Sequence, residues 1–403
     1  MQNLEKSYKT KSAITSVAIT LALLLAGVPK TTETMAISNN LMRTVRKADM
    51  RVSRIVSYQD NPNLPIWVDT SKHFKIVHIG DSHIQAGFLT SEVRRLLADF
   101  YCDSAVSIGY VFPYNLAGTN SPREYTFKSN SNWVFKKIIT SEESLKAGLS
   151  GIVMETCDTN PSLSVSLKNQ KLGDKFFDEI TVFFDNSTAN YTFKVEGSVS
   201  EVVSENREHI KLRLKNAISE ATLLFKGEGR LSLSGLILEN SASKIIYHSA
   251  GLNGADVKSY LRAGELANQL SQINPQLIIV SLGTNDAYHP LFDANAFSAM
   301  LGSLIDKVKQ VAPKSTILLT IPGDHLVSRT NANPNLLLVK EVIVTSAIKN
   351  GCCVWDFHSL MGGEGSIKVW SEMGLTAPDL LHLNAKGYQL QGELLFEALT
   401  NSN

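Results

Sequence analysis

Hydrophobic periodicity changes twice along this 403-residue chain. Phe74-Lys75-Ile76-Val77-His78-Ile79 reads as a buried strand, stopped by Gly80, and Thr90 to Phe100 carries Val93, Leu96, Leu97 and Phe100 at helical spacing. Near Val106 the pattern shifts to short segments rich in β-branched and aromatic residues, separated by Gly, Asn, Asp and Ser. These are Leu163 to Leu167, Ile180 to Phe184, Tyr191 to Val195, Ile210 to Leu214, Thr222 to Phe225 and Leu231 to Leu238. Short, regularly spaced strands predict a β-sandwich. The first pattern then returns. Helices are predicted over Asp256 to Leu270, Asn295 to Val311, Leu336 to Lys349 and Ala385 to Leu399, with strands over Gln276 to Leu282, Thr316 to Ile321 and Val354 to Phe357. Alternating strands and helices predict a parallel sheet. One α/β domain, residues 71–105 and 246–403, interrupted by a β-sandwich insertion over 106–245, accounts for both patterns.

The N-terminus has its own logic. Lys6, Lys9 and Lys11 precede an apolar run from Ala13 to Val28, which gives way to polar Lys30 to Glu33. That layout predicts a secretory signal over residues 1–36, cleaved after Ala26 or Ala36 or retained as an anchor. The run is short for a membrane span, which needs about 20 residues. Residues 37–70 read as a polar lead-in with one helix over Leu41 to Tyr58. Export, to the periplasm or cell envelope, permits disulfides among Cys102, Cys157, Cys352 and Cys353, although adjacent Cys352 and Cys353 rarely bond to each other. A formal net charge of +1 gives no reason to expect nucleic acid or an anionic membrane as partner. The only membrane contact expected is through the possible N-terminal anchor.

Three polar segments lie just after strands or in late loops. Gly80-Asp81-Ser82-His83 follows the first strand, where open parallel sheets bind ligands. A serine there, opening a helix, offers an exposed hydroxyl and an unpaired amide; it equally suits an N-cap. Gly283-Thr284-Asn285-Asp286 ends the strand from Gln276, and the Asn285 amide can donate to a developing oxyanion, though such a tetrapeptide is also a common turn. Asp379-Leu380-Leu381-His382 sets a carboxylate three positions before an imidazole, able to orient it or to act as a surface cap. His83 can line the same pocket or simply pack, and His78 reads as a satisfied core histidine. His289, His325 and His358 are scattered with no metal-ligand spacing, so neither metal nor other cofactor is expected.

Taken together, in the order Ser, Asn, Asp, His, these segments resemble the blocks of the SGNH (GDSL) hydrolase superfamily. Gly251-Leu252-Asn253-Gly254 resembles the remaining block. The resemblance implies a three-layer α/β/α fold, with Ser82 as nucleophile, His382 as base and Asp379 as its orienting acid. It implies an oxyanion hole made by the Ser82 amide, the Gly254 amide and the Asn285 side chain, with Gly251 competing for the place of Gly254. A narrower resemblance, carried by Gly80-Asp81-Ser82-His83-Ile84-Gln85-Ala86-Gly87, Gly109-Tyr110-Val111-Phe112-Pro113-Tyr114 and Asn120-Ser121-Pro122, points to bacterial peptidoglycan O-acetylesterases. In that group the insertion resembles a carbohydrate-binding module.

The expected function is that of a serine esterase removing acetyl or another small acyl group from an O-acetylated polysaccharide. An O-acetyltransferase using the same site and a noncatalytic glycan-binding envelope protein remain as alternatives. Because every block residue lies outside 106–245, the insertion is expected to serve substrate choice and not chemistry.

Overall fold

The structure, a computed structural model, describes residues 53–401 except 61, 63, 65, 67–72, 169–175, 186–188 and 198–199. The expected signal segment and most of the lead-in lie outside the described residues. After β1 (Ile55–Ser57), β2 (Phe74–Gly80) leads into α1 (Ser82–Gln85) and α2 (Phe88–Phe100). The β-rich region runs through β3 (Gly109–Val111), β4 (Tyr125–Ser129), β5 (Val134–Lys137), β6 (Ile152–Thr156), β7 (Ser162–Leu167) and β8 (Phe177–Asp185). It continues with β9 (Ala189–Val195), β10 (Ser200–Glu205), β11 (His209–Ile218), β12 (Glu220–Gly229) and β13 (Leu231–Glu239). Then come β14 (Ile245–Gly251), α3 (Val257–Leu261), α4 (Leu266–Ile273), β15 (Leu277–Ser281), α5 (Thr284–Tyr288), α6 (Ala294–Val311) and β16 (Thr316–Ile321). A hairpin of β17 (Leu326–Val327) and β18 (Asn331–Ala332) precedes α7 (Leu336–Asn350), β19 (Cys353–Asp356), α8 (Phe357–Met361), α9 (Ser366–Glu372) and α10 (Ala385–Thr400).

The central sheet has the order β1-β19-β16-β15-β2-β14. Every pair is parallel except the edge pair β1–β19. Its central strands are buried on both faces, in keeping with the largely apolar sequences of β15 and β16. In chain order the parallel strands are arranged 2-1-3-4-5, so connections leave in opposite directions from β2 and β15. The crevice at that switch point, beyond the strand ends, is where such sheets bind ligands. Helix α2 packs on α10, and α6 packs on α7, α3 and α4, giving an α/β/α layering.

The strands from β3 to β13 form two antiparallel sheets. One has the order β10-β11-β8-β13-β6-β5, with β3 also on β13, and the other β4-β7-β12-β9. Alternation along β7 buries Leu163, Val165 and Leu167. Phe184 of one sheet meets Phe193 of the other at 4.4 Å between ring centroids, so the two form a sandwich with a shared core. That core is continuous with the α/β core. Buried Arg94 of α2 clamps Glu124 with contacts of 2.7 Å, and Lys75 of β2 reaches Glu239 of β13 at 2.9 Å.

Three expectations need correction. Residues 55–57, expected at the end of a helix, form a strand because β19 offers an open edge for pairing. The expected helix over 256–270 is broken between α3 and α4. There Leu145, from the β-rich region, donates its amide to Arg262 and accepts from the Gly264 amide, so the backbone groups that would continue the helix are spent on another chain segment. Phe357, expected to end a strand, opens α8, capped by Asp356 accepting from the Ser359 amide. All four cysteines are free, with Cys102 and Cys157 exposed and Cys352 and Cys353 in the core.

Candidate active site

Registration across the sheet brings the polar segments to one edge. Gly80 of β2 pairs with Gly251 of β14 and with Ser281 of β15. The residues just past these strand ends, Ser82, Gly254 and Asn285, therefore emerge side by side at the switch point. Close approach demands glycine at 251, where a Cβ would sit 2.4 Å from the Gln85 nitrogen and 2.5 Å from the Asp81 oxygen.

Ser82 is the first residue of α1. Buried Asp81 caps the helix by accepting from the His83 amide at 2.9 Å. The Ser82 amide donates to no described residue, as expected of a helix start. Its Oγ lies 2.8 Å from Nε2 of His382, and Nδ1 of His382 lies 2.7 Å from Oδ2 of Asp379. The other carboxylate oxygen of Asp379 accepts from the Leu381 and His382 amides at 3.0 and 2.9 Å. Burial pulls the Asp379 pKa upward, but these amides and the imidazole outweigh it and hold the carboxyl below its ordinary value. Asp379 is thus a fixed anion that favours a proton on Nδ1 and leaves Nε2 facing the serine. The loop carrying both residues is pinned at Leu380, whose carbonyl accepts from the Leu326 amide, and at Asn384, which caps α10 and donates to the Gly374 carbonyl. With His382 31% and Asp379 38% exposed, the line opens to solvent.

Gly254 and Asn285 are held as a unit. The Leu252 carbonyl accepts from the Ala255 amide, closing a turn in which Gly254 takes φ +77°, a value that suits glycine. The exposed Gly254 amide donates to no described residue, whereas the Gly251 amide, inside the sheet, faces the Tyr114 hydroxyl at 3.4 Å. Of the two glycines, 254 has the open donor. Asn285 donates one amide hydrogen to the Ala255 carbonyl at 2.8 Å, leaving its second for another acceptor. Next to it, Asp286 accepts from the Val257 amide at the start of α3. Burial, with the Asp256 charge adding to it, pushes Asp286 up to about 7.

The other histidines sort by their contacts. The His83 ring sits 5.0 Å from that of His382, with the Tyr388 hydroxyl 3.4 Å from its Nδ1, and burial lowers its pKa. His78 has both ring nitrogens occupied, by Tyr247 at 2.7 Å and Ser281 at 2.6 Å, and burial lowers its pKa to about 3, so it is a neutral core residue. Among the described residues no group of three or more His, Cys, Asp or Glu is placed to hold a metal ion. Sequence reasoning takes Gln85 and Asn120 only as parts of a resemblance, gives them no role and passes over Thr119; the three hydrogen-bond to one another and to Asn253 beside Gly254. Their partners are far away in the chain, and no periodicity marks such contacts.

Residues 232–390 match the family model of GDSL-like lipases/acylhydrolases. That span includes Gly254, Asn285, Asp379 and His382, and leaves Ser82 upstream of the β-rich region. No curated protein matches the chain in sequence. A solved peptidoglycan O-acetylesterase shares the fold, with a TM-score of 0.73 and 22% identity over 86% of this chain and 97% of that one. Partial likenesses extend to a lipase/acylhydrolase from Enterococcus faecalis (18% identity, 39% of this chain and 77% of that one, TM-score 0.32) and to an acetylxylan esterase from Geobacillus stearothermophilus (16%, 40% and 74%, 0.32). Residues 232–390 are thus a GDSL-like lipase/acylhydrolase domain set in a 2-1-3-4-5 sheet, and this chain is a carboxylic ester hydrolase.

Proposed function

We propose that the chain removes O-acetyl groups from an acetylated cell-wall polysaccharide, with Ser82 as nucleophile, His382 as general base and Asp379 as the group that orients it. The observation that carries this is the line Ser82–His382–Asp379, with contacts of 2.8 and 2.7 Å at the switch point of the sheet. The Ser82 Oγ forms a bond to the acetyl carbon while its proton passes to His382 Nε2. Negative charge then collects on the carbonyl oxygen, where the Ser82 and Gly254 amides and the spare hydrogen of Asn285 serve as donors. The bond to the sugar oxygen breaks, and that oxygen takes the proton from His382. Water, deprotonated by the same imidazole, splits the acetyl-serine, releases acetate and restores the serine. None of these steps calls on a cofactor.

The glycan part rests on two supports: the β-sandwich alongside the site, and the likeness in fold to a protein described as a peptidoglycan O-acetylesterase. The basic and apolar N-terminus supports placing the enzyme outside the cytoplasm, in the periplasm or envelope. Acetate release from O-acetylated peptidoglycan and from acetylated xylan, each with and without an added oligosaccharide, tests the reading. Faster release from peptidoglycan, unaffected by the oligosaccharide, is expected. Preference for xylan would move the substrate, and acetyl transfer to the oligosaccharide in place of release would make the enzyme a transferase.

A further inference from the structure

The Gln85 side chain is buried at the end of α1, three residues past Ser82, and every polar atom of it is engaged. Its Oε1 accepts from the Asn253 amide at 2.7 Å. Its Nε2 donates to the Asn120 carbonyl at 2.7 Å, to Asn120 Oδ1 at 3.0 Å and to Thr119 Oγ1 at 3.0 Å. Asn120 Oδ1 also accepts from Nδ2 of Asn253 at 2.6 Å. Both the backbone and the side chain of Asn253 are therefore tied down. The peptide that follows Asn253 carries the Gly254 amide. Upstream of it, the Tyr114 hydroxyl donates to the Gly251 carbonyl at 2.8 Å. Tyr114, Thr119 and Asn120 all lie on the segment between β3 and β4, inside the β-rich insertion.

We propose that Gln85, with Thr119 and Asn120, is a positioning device for the Gly254 amide, which makes the first segment of the insertion a working part of the catalytic centre. Gln85 sits on the same short helix as Ser82, so one side chain sets the oxyanion turn against the helix that carries the nucleophile. A turn held only by the Leu252–Ala255 bond can rotate the peptide between residues 253 and 254 and swing its N–H away from the oxyanion. Fixing Asn253 at two points removes that freedom before substrate arrives, and an amide aimed in advance is worth most in the transition state. Gln85 acts in this way only if Gly254 is an oxyanion donor and Ser82 the nucleophile, as proposed above. The insertion then contributes to chemistry as well as to substrate choice, contrary to the expectation from the sequence.

Two variants test this on the full chain with a nitrophenyl acetate, a substrate too small to need remote glycan contacts. Gln85→Met keeps the bulk and removes both polar functions, and Asn120→Ala removes an acceptor at an exposed position. Loss of aim should lower kcat about 10²-fold in the first and about tenfold in the second, with KM within about twofold. A boronic acid, whose boron takes the Ser82 Oγ while the serine proton passes to His382, mimics the tetrahedral state. Its inhibition constant should rise in step with the fall in kcat/KM, a correlation that mere loosening of the fold would not produce. The double variant should lose little more than Gln85→Met alone, since both act through one turn. Normal kcat and normal boronic acid affinity in folded Asn120→Ala, or a loss confined to KM, would overturn the proposal even if Gln85→Met failed to fold. Activity in Ser82→Ala would overturn the underlying reading of the site instead.

Discussion

Asp286 couples the stability of the site to pH. It is buried next to Asn285 in the chain and accepts long hydrogen bonds of 3.2 and 3.4 Å from the Val257 amide. Asp256, which caps α3 by accepting from the Ser259 amide at 2.7 Å, adds a like charge nearby. Burial first, and that charge second, raise the Asp286 pKa from 3.8 to about 7. The sign follows from the raised value. Between those two pH values the folded state holds a proton that the unfolded state has lost, so the folded state is favoured at low pH and loses that advantage as pH rises through about 7. At 1.36 kcal/mol per pKa unit, the shift corresponds to about 4 kcal/mol between acid and alkaline conditions. Asp286→Asn keeps the shape and an oxygen for the Val257 amide but carries no charge. Denaturant titrations at pH 5 and pH 8 should therefore show the variant gaining on the wild type as pH rises, ending more stable at pH 8 by up to that amount. A stability difference that is the same at both pH values, or a variant less stable at pH 8, would refute the reasoning.

Asp379→Asn should place an amide N–H against His382 Nδ1, forcing the wrong tautomer. kcat should fall about 10⁴-fold with the melting temperature little changed, and retention of more than a few per cent of activity would remove Asp379 from the relay. Asn285→Ala should lower kcat by about 10² to 10³ with a smaller change in KM, read by steady-state kinetics on a nitrophenyl ester, and a change in KM alone would place Asn285 in ground-state binding. Glu124→Gln should leave the Arg94 charge buried without a counterion and cost about 3–5 kcal/mol in denaturant titrations, and a loss below about 1 kcal/mol would mean that the pair adds little at the join between α2 and the β-rich region.

Much of this architecture is legible in the residues because it is local. The run Leu277 to Val280 is apolar throughout because its strand is covered on both faces, and α6 and α10 announce themselves by spacing and by their caps, Asp293 and Asn384. Ser82, Asn285, Asp379 and His382 lie after strand ends or in a late loop, but position alone leaves each open to a capping or turn role, and it is the resemblance of the combined segments that singles them out. What the sequence hid is set by partners far away in the chain. Residues 55–57 become a strand only because β19 presents an edge. The break between α3 and α4 is imposed by Leu145, more than a hundred residues upstream. Gln85 stands in a segment that carries a resemblance, but its role shows only once Asn120 and Asn253 are folded onto it. Pairing of this kind leaves no periodic signal, and the same holds for the join between the sandwich and the active site.

The central claim is that Ser82 carries the acetyl group during turnover, and acetate release from O-acetylated peptidoglycan tests it most directly. Wild-type protein should release acetate and, when quenched during turnover, yield a peptide containing Ser82 that is heavier by one acetyl group. Correctly folded Ser82→Ala should show no such peptide and a rate lower by about 10³ or more. Release by Ser82→Ala at more than about a tenth of the wild-type rate, far above what loss of a nucleophile allows, would contradict the account.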